Sequence, residues 1–325
     1  MIQIIFFIKI ILKIRKKLTV GILNNYCENL TDINFKYDPA IGRDRELEKL
    51  MLTILTPQKS ALLIGKAGVG KTSIVEGLAY RISNNNVPKA LKDFTIYKTS
   101  AAILISGCIY SGMLEKRIID IFEALKNQSN TILFIDEIHT LIGTGKSNDQ
   151  NTLDIANIIK PYITNENIYL IGATTDYEYK YYIKEDPAFS RRFSTIIVEE
   201  PKGLVLEKIL THTLYKYSKM YNIKIDKKLV DVISVYLTNY TNKEYINDMY
   251  DNDIVNPDLA ISIIAYAYGY ARLYDKKAIT FDDFIHAYNM CDKVNKKIKS
   301  SDISYAIKNY INSSNIIQFK QIKRK

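Results

Sequence analysis

The 325 residues include only three cysteines, Cys27, Cys108 and Cys291, far apart and without Cys-x-x-Cys spacing. That excludes a disulfide framework and a cysteine zinc site, and fits a reducing compartment where each thiol is a small buried apolar group. Histidine is as sparse: His139, His212 and His286 stand apart, so no zinc cluster is expected, and His139 reads as structural. No run is long and apolar enough to cross a bilayer. Met1 to Leu18 comes nearest, but it is short, is interrupted by Lys9 and Lys13, and lacks a small-residue cleavage site behind its basic end. Residues 1–17 read as an amphipathic helix touching membrane or a partner, as a helix packed on the body, or as a disordered leader. There is no internal repeat.

The net charge of +10, from 45 basic and 35 acidic residues, comes without a basic stripe. Basic residues are dense only at the ends, at Lys13 to Lys17 and Lys320 to Lys325. Scattered lysines read as a solvated face and argue against nucleic acid as the main partner. The length holds a sizeable core, in two domains or one large one.

What is present centres on Ser60 to Thr72, where a short apolar run enters the loop Gly65-Lys66-Ala67-Gly68-Val69-Gly70-Lys71-Thr72. A triphosphate needs a concave set of backbone N–H groups, and the glycines permit that approach. Lys71 then reaches the β- and γ-phosphates and Thr72 a Mg²⁺ ion. From Ser73 onward, Ile74, Leu78 and Ile82 share a helical face, so the loop opens onto a helix whose positive end faces the phosphates. Downstream, Thr131 to Ile135 is a continuous apolar strand ending in Asp136-Glu137. Beside a phosphate loop, Asp136 positions the Mg²⁺ shell and Glu137 orients and deprotonates the attacking water; the bland alternative is two acids capping the next helix.

Other candidates keep two readings. The turn Tyr37 to Asp44 holds a base against the Ile41 and Gly42 backbone, or simply starts a domain. Leu23 to Ile33 reads as a short polar helix or loop with little to anchor it. Phe94 to Tyr97 begins an extended segment that runs through alanine and isoleucine to Ser106, leading to Tyr110 in a glycine-flanked loop before the helix Met113 to Leu125. Tyr110 either grips a ligand or packs beneath its loop. The buried strand Ile168 to Thr175 ends in two hydroxyls, and Thr175 holds water or γ-phosphate, or caps the next turn. Arg191-Arg192, before strand Ser194 to Val198, are surface salt-bridge partners or stabilisers of phosphate charge. From Pro201 the pattern becomes purely helical, at Leu204–Tyr221, Lys227–Tyr240, Pro257–Tyr274 and Phe281–Cys291.

Taken in order, these motifs resemble the first ATPase module of the Clp/Hsp100 unfoldases, in the AAA+ superfamily, over residues 21–275. The matching runs are Asp38 to Arg43, the phosphate loop through Ala79, Tyr110 to Arg117, Phe134 to Thr140, Gly172 to Thr175, Tyr182 to Phe193, and Pro257-Asp258 with Ala260-Ile261. The resemblance implies an α/β P-loop NTPase domain with a parallel sheet at residues 36–200, followed by an all-helical lid at 201–290. An apolar, basic leader with a short helix at 1–35 and a basic tail at 291–325 complete the expected division. It also implies that Thr175 is a sensor, that Arg191 and Arg192 are fingers reaching a neighbour's nucleotide in a ring, usually hexameric, and that Tyr110 grips polypeptide in the pore. Ser73 joins the nucleotide loop, Arg272 of the lid faces nucleotide, and Gly143 to Asn148 matches a second pore loop.

The chain also departs from that family pattern. Ile109 and Ser111 flank Tyr110 where the family has a basic or aromatic residue and an arginine. No amino-terminal adaptor domain, coiled-coil insertion, second phosphate loop or exposed Ile-Gly-Phe protease loop is found, since Ile171-Gly172 lies inside a strand. The chain therefore looks like a single-ring relative or part of a split protein, with a second-module subunit or a protease as further partners. The leading expectation is a Mg-ATP-driven protein-remodelling motor, in the cytoplasm or the stroma of an organelle of bacterial origin. The rivals are a nucleic-acid-associated switch and a membrane-adjacent scaffold ATPase.

Overall fold

Runs without polar alternation make the centre of the structure: Ser60–Ile64, Thr131–Asp136 and Tyr169–Thr174 become strands flanked by paired neighbours and covered on both faces. A computed structural model describes residues 20–109, 111–142, 155–163, 165, 168–240, 255–294 and 297–304. Six strands, β1 (Glu28–Asn29), β2 (Ser60–Ile64), β3 (Thr95–Ser100), β4 (Thr131–Asp136), β5 (Tyr169–Thr174) and β6 (Phe193–Ile197), form one sheet in the order β1-β3-β4-β5-β2-β6. All neighbours are parallel except β1, which pairs antiparallel with β3.

Helices join the strands as crossovers: α1 (Asp44–Ile54), α2 (Lys71–Ser83), α3 (Ala101–Ile105), α4 (Ser111–Lys126), α5 (His139–Ile142), α6 (Ile155–Ile163), α7 (Asp176–Glu178) and α8 (Pro187–Arg192). Their apolar faces close over the sheet, with Ile118, Ile121, Phe122 and Leu125 of α4 and Ile155 and Ile159 of α6 in one core with Leu133, Ile135 and Leu170. Each such side chain is worth about 1.5–3 kcal/mol of burial.

Two segments depart from the sequence expectation. Residues 23–33 are anchored: Leu23 and Leu30 are buried, Cys27 packs in the same core, and β1 pairs Glu28 with Lys98. A two-residue strand is too short to show a period, so the pattern gave no warning. Residues 101–105 are helix α3, not extended chain, because the Ser100 side chain caps the backbone N–H of Ile103 and ends β3 there. Arg117 of α4 then closes the far end of α3. Its Nη1 donates to the carbonyls of Leu104 (2.6 Å) and Ser106 (2.7 Å), and its guanidinium lies 4.5 Å from the ring centre of Tyr26.

The chain divides into two compact units, one ending at Val198 and the other running from Glu199, with Lys66–Gly70 grouped with the second. Among the described residues the second unit packs the helices α9 (Gly203–Tyr221), α10 (Lys227–Tyr240), α11 (Asp258–Leu273) and α12 (Phe281–Met290) together. Leu210, Leu214, Ile233, Leu237, Ile263, Ile264 and Phe284 fill its core. Asn222, in the left-handed region at φ 53°, ends α9 and returns its N–H to the Ser218 carbonyl. Tyr268 is fully buried yet satisfied, its hydroxyl donating to the Leu214 carbonyl at 2.7 Å, and burial pushes its pKa up to about 12.

Candidate nucleotide site

The parallel register aligns the carboxyl ends of three central strands. Ile64 pairs with Thr174, and Ile135 pairs with Gly172, so Gly65, Asp136 and Thr175 emerge at one sheet edge, where ligands of such sheets bind. Gly65 is tied to that edge by its own N–H, which donates to the Thr174 carbonyl at 3.3 Å. Beyond it, Gly68 (φ 73°) and Gly70 (φ 98°) take backbone angles that L side chains avoid. Val69 is buried, while Lys66, Ala67 and Gly68 are exposed. Lys71, Thr72 and Ser73 form the first turn of α2.

Across the edge, residues 64 positions apart meet: the Thr72 hydroxyl donates to Asp136 Oδ2 at 2.9 Å. Asp136 Oδ1 accepts the Glu137 N–H at 3.1 Å, which leaves the exposed Glu137 at φ 52°, a left-handed conformation costing a non-glycine residue about 1 kcal/mol. Thr140 holds that turn by donating its N–H (3.0 Å) and hydroxyl (2.8 Å) to the Glu137 carbonyl. The Lys71 ammonium bends onto the Gly65 carbonyl at 2.7 Å. Burial pushes the pKa of Lys71 below its ordinary value, against the pull of Asp136, Glu178, Asp176 and Glu137. A partly desolvated cation facing a hydroxyl–carboxylate pair suits an anion carrying a hard metal ion, for which oxygen donors are the matching ligands. Among the described residues there is no separate cluster of three His, Cys, Asp or Glu able to hold a metal.

Thr175 ends β5 as the cap of α7: its hydroxyl accepts the Glu178 N–H at 3.4 Å, and Glu178 Oε2 accepts the Thr175 N–H at 2.9 Å. Glu178, which the motifs did not single out, also sits 3.1 Å from His139 Nδ1. Burial works against its carboxylate, but the hydrogen bonds from Thr175, the charge of His139 and the Thr174 hydroxyl hold its pKa below the ordinary value. The Thr-x-x-Glu spacing of a capping box was the available signal.

The remaining candidates lie elsewhere. Ile41 is half-buried in a turn pinned from α2, where Arg81 donates to Asp38 (2.9 Å) and Asp44 (2.7 Å). Arg191 and Arg192 are at the opposite end of the sheet. Ser60 pairs with Phe193, the Arg191 carbonyl accepts from Lys59 Nζ at 3.0 Å, and Arg192 Nη1 donates to Gln58 at 3.1 Å. That level is six strand steps of about 3.3 Å, roughly 20 Å, from Gly65 of the same chain. Arg272, in the second unit, stacks its guanidinium 4.7 Å from the Tyr221 ring centre. Tyr110 and residues 143–154, the latter containing the expected second pore loop, lie outside the described residues. Among the described residues no helix is long and apolar enough to cross a membrane.

A phosphate loop answered across the sheet by an acid-tipped strand is the plan of a P-loop nucleotide-binding domain, and the family model for the ATPase family associated with various cellular activities (AAA) matches residues 61–200. Relatives narrow the class. The chaperone protein ClpB of Mycoplasmoides gallisepticum is 38% identical over 249 residues, covering 75% of this chain and 33% of that protein. A ClpA homologue of Cyanidium caldarium, described as the ATP-binding subunit of an ATP-dependent Clp protease, is 35% identical over 79% of this chain and 29% of its own length. The solved S. cerevisiae Hsp104-ADP complex superposes with a TM-score of 0.68 at 30% identity, over 82% of this chain and 44% of that one. The chain carries an AAA+ ATPase module of the Clp/Hsp100 type, and it spans about a third of the length of these curated relatives.

Proposed function

We propose that the chain is the ATP-hydrolysing module of a ring-forming motor that remodels polypeptides. The observation that carries this reading is the Thr72–Asp136 contact, which sets a hydroxyl of the first turn of α2, two strand-end carboxylates and the Lys71 ammonium at one edge. The loop Gly65 to Ser73 cradles the phosphates, Lys71 swings from the Gly65 carbonyl to the β- and γ-oxygens, and the Ile41 turn borders the base. Thr72 and Asp136 would hold Mg²⁺, which supplies charge neutralisation on the phosphates. Glu137 takes the proton of the attacking water, and Thr175 orients that water or the γ-phosphate.

Arg191 and Arg192 serve a neighbouring copy, since they stand too far from their own phosphate loop; a homo-oligomeric ring, hexameric by family analogy, follows. Arg272 is proposed to answer nucleotide from the helical unit and Tyr110 to grip the threaded chain. The solved S. cerevisiae Hsp104:casein complex, 31% identical with a TM-score of 0.66, supports a polypeptide substrate. A protease or a second-module subunit completes the proposed assembly, by analogy with the ClpA-type relatives.

Glu137→Gln keeps the side chain's shape and deletes the base. It should retain ATP binding while lowering turnover on the order of 10²-fold or more. Lys71→Ala should instead weaken binding itself, measured with a fluorescent nucleotide. Parental turnover by Glu137→Gln would refute the assignment.

A further inference from the structure

We infer that Glu178, acting with His139, is a positioning residue that fixes the distance between the water-activating carboxylate and the end of β5; this rests on the hydrolysis reading above. The Glu178 carboxylate is the meeting point of two elements. On one side it accepts the backbone N–H of Thr175 (2.9 Å) and the hydroxyl of Thr174 (3.2 Å), the last residue of β5. On the other it faces Nδ1 of His139 at 3.1 Å, and His139 opens α5 two residues after Glu137. The Thr174 hydroxyl stands 3.2 Å from the same Nδ1, so strand, helix and carboxylate share one contact.

The surroundings make this a strut and not a surface pair. The Thr174 residue is buried, and only 13% of the His139 and 25% of the Glu178 side chain is exposed. A second tie runs parallel to it: the Ile138 N–H donates to the Ala173 carbonyl at 3.1 Å. Both ties follow directly on Glu137, whose left-handed backbone persists only if its neighbours hold it. Removing the His139–Glu178 link frees one of the restraints on the segment that aims the Glu137 carboxylate and leaves the Thr72–Asp136 contact in place.

The competing role is a helix cap, and one substitution separates the two. Glutamine serves at the third helical position of a capping box as well as glutamate does, so Glu178→Gln keeps the cap and removes the charge opposite His139. A positioning role predicts a fall in kcat of roughly tenfold, as a displaced reacting group produces, with KM, fluorescent-nucleotide affinity and melting temperature unchanged. His139→Gln should give the same fall, and the double variant no more than either alone. Glu137→Gln runs beside them as the control. If it is inactive while Glu178→Gln turns over at the parental rate, the strut is refuted and the hydrolysis reading stands. A parallel loss of kcat and melting temperature in Glu178→Gln would mark a purely structural residue and also overturn the inference. Parental turnover by Glu137→Gln would remove the hydrolysis reading and this inference with it.

Discussion

At Gly77 and Gly172 a single methyl group decides whether the site can form. Gly77 sits on the buried face of α2, where an added Cβ would collide with the Cβ of Ala40 and lie 3.0 Å from its backbone N. Neither atom can rotate away, because both belong to the backbone-fixed turn that Arg81 pins through Asp38. Gly172, inside β5, is gentler: an added Cβ would meet Leu62 Cδ1 at 2.9 Å and Ile138 Cγ2 at 3.0 Å, the former a side-chain end. Alanine's better helix propensity would return about 1 kcal/mol at position 77. Overpacking typically costs about 1–3 kcal/mol and more where nothing can yield. Gly77→Ala should therefore lose more stability in urea denaturation than Gly172→Ala. The milder variant should still slow turnover, since Ile138 adjoins Glu137. Equal stability losses would show that the Ala40 turn yields as readily as a side chain.

Among elements, α12 shows how a cap carries a pH dependence. Thr280 and Asp283 form a capping box, the Thr280 N–H donating to Asp283 Oδ2 at 2.9 Å, and Lys276 pairs with the other carboxylate oxygen. Burial works to raise the Asp283 pKa, but the Lys276 and Thr280 hydrogen bonds outweigh it and hold the carboxyl below its ordinary value. A folded pKa below the unfolded one means stability present above about pH 3.9 and lost as pH falls through the folded value. Asp283→Asn should cost about 1–3 kcal/mol at pH 7, the worth of a hydrogen-bonded charged group, and the gap should close in acid below about pH 4. A gap that persisted there would mean packing, not charge, is lost. The same kind of box at Thr175 and Glu178 is only half legible in the sequence: Thr175 reads as a cap, whereas Glu178 shows its role only beside His139, 39 positions away. The central strands were legible, as continuous apolar runs have few other uses, and so were the four helical patterns after Pro201. β1 was not, having two residues and no period, nor was α3, where Ile-rich sequence turns helical because Ser100 caps it. The meeting of Thr72 with Asp136 followed from motif order alone, whereas the distance of Arg192 from its own phosphate loop needed the strand register.

For the whole molecule, that register makes assembly testable. With β2 and β6 parallel and Ser60 opposite Phe193, Arg191 and Arg192 lie level with Gln58 and Lys59, while Gly65 leaves the far end of β2. No rotamer of either arginine crosses the roughly 20 Å between them, a full strand length. If these residues stabilise phosphoryl charge, they do so on another copy, and each subunit is then half of two sites. An arginine finger is worth on the order of 10³ or more in rate, so the Arg191→Ala, Arg192→Ala double variant should bind nucleotide normally and barely turn over. Lys71→Ala subunits fail for the opposite reason, keeping the arginines and losing the phosphate contact. Mixed in equal amounts, the two inactive proteins should regain activity, because about a quarter of the interfaces in a randomly assembled closed ring pair an intact phosphate loop with intact arginines. The recovery should scale with protein concentration through the assembly range and vanish on dilution. Absence of any recovery in rings shown by light scattering to contain both variants would refute the shared site. So would full parental turnover in a dilute sample shown to be monomeric.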